Sequence, residues 1–247
     1  MKNTGKTATT GTLVMASNHI GNTLDIPRRS LKILKTADLV VFEEDKPARS
    51  TLKAAGIQKE YLKFNEHHQR EALDEVVNSL KKGLTVVYMS DQGSPALADP
   101  GRHLNKIAFE VGAKIQVIPG PSSVTAALSA TPFDTARFRY IGFPPREPEL
   151  RKKFFQNEIS LGDPLVALDT PYRLHTLINE LAELQPNKRA LVAIDISGMN
   201  ESFLFGSFKH LKTLICKEKL NFVLVIEGAK TSTKPSTKNK TGRKKRW

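Results

Sequence analysis

Cysteine is nearly absent from this chain: Cys216 stands alone, which excludes an internal disulfide and a cysteine metal cluster. Its neighbours Leu211, Leu214 and Ile215 form an apolar pattern, and this predicts core packing for Cys216 rather than a nucleophilic role. Long apolar runs are missing as well. The longest, Leu39–Phe42 and Phe222–Ile226, have the length of buried strands and fall far short of the ~18 residues that cross a bilayer. Met1 to Gly11 is polar and lacks the apolar stretch of a secretory signal. Acid is the scarcer charge, with 25 Asp and Glu against 38 Lys and Arg. The hydrophobic fraction of 39% is ordinary for a globular protein. These features fit a cytosolic protein of one large domain or two compact ones, with no metal expected.

The net charge of +13 is unevenly placed: eight basic residues and no acid lie between Ala229 and Trp247, which leaves +5 for residues 1–228. That tail is rich in Ser, Thr, Asn, Pro and Gly, a composition expected to stay disordered. It suits either contact with nucleic-acid phosphates or plain solvation.

Apolar runs alternate with helical patterns through the rest of the chain, which predicts α/β layering. Strands are expected at Thr12–Ala16, Asp38–Phe42, Tyr61–Phe64, Leu84–Met89 and Lys114–Ile118, then at Phe138–Gly142, Leu165–Leu168, Ala190–Ile194 and Phe222–Ile226. Helices are expected between them, including Ala48–Ala55, Arg102–Val111, Pro148–Asn157, Tyr172–Leu184 and Phe208–Ile215. The fold class is therefore α/β, with two sheets, a cleft between them and a boundary near Pro119.

The most informative stretch is Ser90–Gly101, which leaves a buried strand and holds two Gly, two Pro and two Asp in twelve residues. Ligands of open α/β sheets bind beyond the carboxyl ends of strands. Gly93 admits a close backbone approach, and the prolines fix the shape of the loop. Ile118–Val124 also follows a strand, and there Ser122 or Ser123 could cap a helix or hold a polar ligand group. Asp169–Arg173 ends another strand, with an acid for amines or hydroxyls and an arginine for carboxylate or phosphate. Glu43, Glu44 and Asp45 are either solvated or orient a substrate, and the His67–His68 pair lacks metal-ligand spacing and reads as an exposed turn.

The motifs run in the order I-G-N (Ile20–Asn22), E-D (Glu44–Asp45), S-D-x-G-S-P-x-x-x-D-P-G (Ser90–Gly101), P-G-P-S (Pro119–Ser122), G-F-x-P-R (Gly142–Arg146), T-P-Y-R (Thr170–Arg173) and F-V-L-V-I-E-G (Phe222–Gly228). That order resembles the 16S ribosomal RNA 2′-O-ribose cytidine methyltransferases, a branch of the tetrapyrrole-methylase superfamily, from about Thr12 to Gly228. The resemblance implies two α/β domains, residues 1–118 and 119–228, with S-adenosylmethionine in the cleft, a homodimer, and ribosomal RNA or the small ribosomal subunit as partner. It implies cofactor contacts at Gly93, Ser94, Leu97, Ser122 and Ser123, with Ile20, Asp169 and Ile196 nearby, and substrate contacts at Arg146 and Arg173. The sequence departs from the family where E-D-T-R becomes Glu44-Asp45-Lys46-Pro47 and R-E-L-T-K becomes Ile194–Gly198. These losses fall on substrate-facing motifs.

Transfer to a hydroxyl benefits from a base. Asp99 is the favoured candidate, followed by Asp45 and Asp195, and His19 and His103 are weaker. The alternatives are a methyltransferase acting on a small tetrapyrrole-like molecule or a protein, and a non-catalytic nucleic-acid-binding relative.

Overall fold

A computed structural model of the chain describes residues 10–65 and 69–229. The basic tail and the His67–His68 pair lie outside them. Strands β1 (Thr12–Ala16), β2 (Leu39–Phe42), β3 (Leu62–Lys63), β4 (Thr85–Met89) and β5 (Lys114–Ile118) form an all-parallel sheet in the order β3-β2-β4-β1-β5. Both faces are covered, as parallel sheets require. Leu13 and Met15 of β1 meet Ala72, Val76 and Leu80 of α3 (Gln69–Lys81) and Leu104 and Ala108 of α4 (Gly101–Glu110). Val14 and Ala16 point the other way, onto Leu34 of α1 (Arg28–Thr36) and Ala48 and Leu52 of α2 (Asp45–Ala55). The alternation along one strand thus sorts four helices into two layers.

The second sheet is mixed. Strands β6 (Arg139–Gly142), β7 (Leu165–Leu168), β8 (Arg189–Ile194), β9 (Ser202–Ser207) and β10 (Phe222–Ile226) lie in the order β6-β7-β10-β8-β9, and only β6 and β7 are parallel. On one face pack α6 (Pro148–Ser160), α7 (Leu174–Leu184) and α8 (Phe208–Leu214), with Phe155, Leu177, Leu181 and Phe208 in the core. On the other face lies α5 (Ser123–Ala130) through Val124 and Ala127.

Strand β9 was not foreseen: its Leu204 packs into the helix-covered core, while Phe205 rests against Phe133 on the opposite face with ring centroids 5.7 Å apart. Helix α2 begins at Asp45, three residues earlier than expected, because Glu44 already takes the extended conformation of an N-cap. Cys216 is exposed. Helix α8 stops at Leu214, so Ile215 turns inward at 7% exposure and the next residue faces out. No helix among the described residues is long and apolar enough to cross a membrane.

One buried charge ties the second half together. Arg151 on α6, 3% exposed, grips both carboxylate oxygens of Glu180 on α7 at 2.7 and 2.6 Å and donates to the carbonyls of Pro145 and Arg146 at 3.0 and 2.5 Å. Glu180 is the main cause of its raised pKa. Removing one partner of such a pair leaves the other desolvated and unpaired. Arg151→Ala is therefore expected to lose about 3 kcal/mol in chemical denaturation, with the denaturant slope unchanged.

Candidate active site

The parallel sheet gathers its functional loops at one end, because all five strands finish there. Residues 17–22 follow β1, 43–44 follow β2, 90–100 follow β4 and 119–122 follow β5. Asn18, fully buried, holds the first and third of these loops together. Its amide donates to the carbonyls of Ser90 and Asp91, both at 3.1 Å, and to Thr51 Oγ1 at 3.0 Å. The backbones are stitched as well: Asn18 N–H donates to Gly93 O at 2.8 Å, and Gly93 N–H donates to His19 O at 2.9 Å. Gly93 sits at φ 70°, and a Cβ there would press on Ile20 Cγ2 at 3.2 Å and Pro121 O at 3.3 Å. Ser94 Oγ donates to Pro121 O at 3.2 Å and brings in the fourth loop.

These loops line a cavity of about 640 Å³. It continues into a groove of about 320 Å³ under the second sheet, and the two share Ile20, Gln92, Ser123, Phe143, Leu168 and Asn221. The first cavity collects Gly93, Ser94, Leu97, Ser122, Ser123 and Asp99. The groove collects Asp169, Asp195 and Ile196. The structure thus brings every residue expected near the cofactor into one connected space. Ser122 is the N-cap residue of α5 yet makes no side-chain capping bond. Capping therefore does not account for it. Asp169 is 7% exposed: its Oδ1 accepts from Arg173 Nε at 2.7 Å and from Thr170 N–H at 2.6 Å, while its buried Oδ2 has no partner.

Other expected residues are placed elsewhere. Asp45 lines neither the cavity nor the groove. Its carboxylate accepts from Tyr61 Oη and Lys63 Nζ, each at 3.1 Å, and Lys63 heads the causes that hold its pKa below the usual value. Arg173 is paired with Asp169 at 2.5 Å rather than free for a substrate. Arg146 is exposed on the loop after β6 and lines neither space. Asp99 does line the cavity, but it braces the loop. Its Oδ1 accepts from Tyr88 Oη at 3.1 Å, Ala96 N–H at 2.9 Å and Gly101 N–H at 2.7 Å, and Ala96 N–H also reaches Oδ2. This clamp holds Ala96 at φ 67°, a conformation that non-glycine residues rarely adopt.

The two halves meet at Gly21. A Cβ there would lie 2.6 Å from Ile196 O and 2.7 Å from Gly198 N, so only glycine fits against the loop after β8. Asn22 N–H donates to Ser197 Oγ at 3.3 Å, and that hydroxyl donates to Asp25.

Residues that sequence reasoning passed over are Asn18, Tyr88 and the particular part played by Glu43. Tyr88 lies in a buried strand, yet its phenol reaches Glu43 Oε1 at 3.2 Å and Asp99 Oδ1 at 3.1 Å. Burial, then the charges of Asp99 and Asp91, push Glu43 up to about 7. Burial likewise raises Asp91 to about 6. Burial lowers the pKa of His19, whose Nδ1 is buried without a partner.

A group with a raised folded-state pKa contributes stability while it is protonated and loses that contribution as pH rises through the folded value. Ionised Glu43 therefore burdens the fold above pH 7. Glu43→Gln is expected to raise the melting temperature relative to wild type at pH 8, with the gain shrinking through the interval from about 7 to the ordinary 4.5 and vanishing below it. Melting curves across that range check the sign.

Residues 13–212 match the tetrapyrrole (corrin/porphyrin) methylases. Among named relatives, ribosomal RNA small subunit methyltransferase I of Neisseria meningitidis serogroup A is 34% identical over 84% of this chain and 72% of its own length. The protein of the same name from Thermotoga maritima is 29% identical over 79% of this chain and 88% of its own. The fold is shared with uroporphyrin-III-C-methyltransferase of Thermus thermophilus, with a TM-score of 0.61 at 18% identity covering 88% of this chain and 94% of that one. A conserved hypothetical protein of Aeropyrum pernix K1 gives a TM-score of 0.69 at 20% identity, covering 90% and 86%. Methyltransferases of this kind draw the methyl group from S-adenosylmethionine. The two sheets, the loops gathered between them and the match across most of the sequence lead to one assignment: the chain belongs to the tetrapyrrole methylase family.

Proposed function

We propose that the chain methylates a ribose 2′-hydroxyl of small-subunit ribosomal RNA, acting in the cytoplasm as a homodimer of a two-domain chain divided near residue 118. The observation that carries this reading is the connected cavity and groove, which gather Gly93, Ser94, Ser122 and Ser123 with Asp169, whose buried Oδ2 has no partner. The names of the relatives supply the substrate class.

The residues fit S-adenosylmethionine. A buried carboxylate oxygen without a donor suits an N–H or O–H group of the ligand. Gly93 and the uncapped Ser122 leave room and polar atoms where the loops face the cavity. When bound, the cofactor supplies a methyl carbon already activated by its sulfonium. The protein's own work is then to orient the acceptor, exclude water and hold a proton. Leu97, Phe143 and Leu168 provide the apolar walls. Exposed Lys46 at the cavity rim, with Arg49 and Lys53 farther along α2, makes that side of the entrance positive, which suits a phosphate backbone.

Two experiments test the reading. Calorimetric titration of S-adenosylmethionine is expected to show saturable binding that weakens at least ~100-fold, or about 2.7 kcal/mol, in Ser94→Tyr, whose ring has no room where the Ser94 hydroxyl already meets Ser17 Oγ at 3.4 Å and Pro121 O at 3.2 Å. Labelled methyl transfer is expected on unmethylated small ribosomal subunits, and its absence in the presence of donor binding would remove the RNA substrate.

A further inference from the structure

A second cavity, of about 560 Å³, lies on the other side of the Ala96–Asp99 segment. Its volume is in the range of small-molecule sites, about 300–1,000 Å³. It shares Glu43, Leu97, Ala98 and Asp99 with the main cavity, so a thin wall of loop separates the two and Glu43 faces both. Its remaining wall carries Arg102 and His103, on the first turn of α4, together with Glu44, Phe64, Asn65 and Pro100. Arg102 is exposed and has no ion-pair partner among the described residues. His103 Nδ1 lies 3.1 Å from the Pro100 carbonyl. A carbonyl only accepts, so Nδ1 carries the proton and Nε2 of the neutral ring remains an acceptor.

We propose that this second cavity receives the nucleotide to be methylated, with the acceptor hydroxyl presented to Glu43 where the two cavities meet. The proposal rests on the RNA-methylating reading above. Arg102 meets a phosphate oxygen, and its planar guanidinium suits that partner. Glu43 takes the proton. An ionised carboxylate has about four acceptor sites. Asp99 spends its sites on Tyr88 Oη, Ala96 N–H and Gly101 N–H, whereas among the described residues Glu43 accepts only from Tyr88 Oη at 3.2 Å and, weakly, from Asp91 N–H at 3.4 Å. The Tyr88 phenol shares one proton between two carboxylates, so it and the weak Asp91 N–H bond leave acceptor sites of Glu43 open to a further donor.

The step balances. The hydroxyl proton passes to the Glu43 carboxylate, the O–H electron pair stays on oxygen and forms the bond to the methyl carbon, and the carbon–sulfur pair leaves with the neutral thioether. The groups surrounding Glu43 are Tyr88 on β4, Asp91 and Asp99 beyond it, Glu44 beside it, Lys46 on α2, His19 on the first loop and Arg102 and His103 on α4. Burial, and after it the charges of Asp99 and Asp91, raises its proton affinity to the neutral range, which matches a base working near pH 7.

The test uses the full chain, S-adenosylmethionine and small ribosomal subunits carrying unmethylated RNA. Arg102→Ala is expected to weaken subunit binding about fivefold and to reduce the salt slope by about 1, with donor affinity within twofold of wild type. Glu43→Gln is expected to bind donor and subunits within twofold of wild type, which also reports its folding. Its single-turnover rate is expected to fall at least ~100-fold and to lose the acid limb. In Tyr88→Phe, loss of the phenol that favours ionised Glu43 moves that limb to higher pH. Unchanged binding and salt slope in Arg102→Ala, or a Glu43→Gln rate within tenfold of wild type, overturns the proposal. A wild-type protein that binds the donor but methylates no subunit overturns the functional reading, and this placement with it.

Discussion

The active end of the molecule depends on one buried amide. Asn18 follows β1 directly and is sealed from solvent, and its side chain spans the loop after β4 and the helix α2. A buried amide must have its hydrogen bonds met, and each contributes about 1 kcal/mol net while costing more if left unmade. The Asn18 and Gly93 backbones add two bonds between the same loops. Those loops leave neighbouring parallel strands, β1 and β4, so the sheet brings them side by side and Asn18 locks them there. Gly120 completes the arrangement: a Cβ on it would lie 2.6 Å from Ser17 Cβ and from Pro27 Cγ.

Rigidity at this end is joined to an electrostatic burden. Glu43 and Asp99 share one phenol, and beside them Asp91 donates its N–H to Glu43 and accepts from Glu44 N–H, with burial raising the proton affinity of Glu43 and Asp91. A fold selected for stability alone would not crowd carboxylates in this way. Proteins carry such strain where activity needs it, and the surrounding structure compensates. Here the compensation is visible in the parallel core on both faces of β1 and β4, whose inner residues are buried almost without exception.

The layering was legible because buried strands are short apolar runs and the helices between them keep a regular stripe. Strand β9 escaped because its alternation reads Phe203, Leu204, Phe205 and Gly206: aromatic residues face one side and Leu204 the core, so no polar partner marks an outer face. Arg151 was hidden for a related reason. It looks like one more charge on a polar helix, and only the fold shows Glu180 facing it. At the site, the glycine and serine loops were legible because their composition is unusual and they follow strands. The division of labour among the acids was not. Spacing marks Asp99 as part of a motif, yet its role is set by the three donors that surround it. Glu43 and Asp99 both line the two cavities, and Glu43 is set apart by accepting fewer hydrogen bonds there, which no linear pattern contains.

A cleft that holds the methyl donor against the loops joined by Asn18 has a visible consequence in a crystal structure of the chain with S-adenosylhomocysteine. The ligand is expected in the main cavity between Gly93–Ser94 and Ser122–Ser123, with a donor group within hydrogen-bond distance of Asp169 Oδ2. Ligand density elsewhere would mean that the donor binds at another site, and none at saturating concentration that this cleft does not hold it.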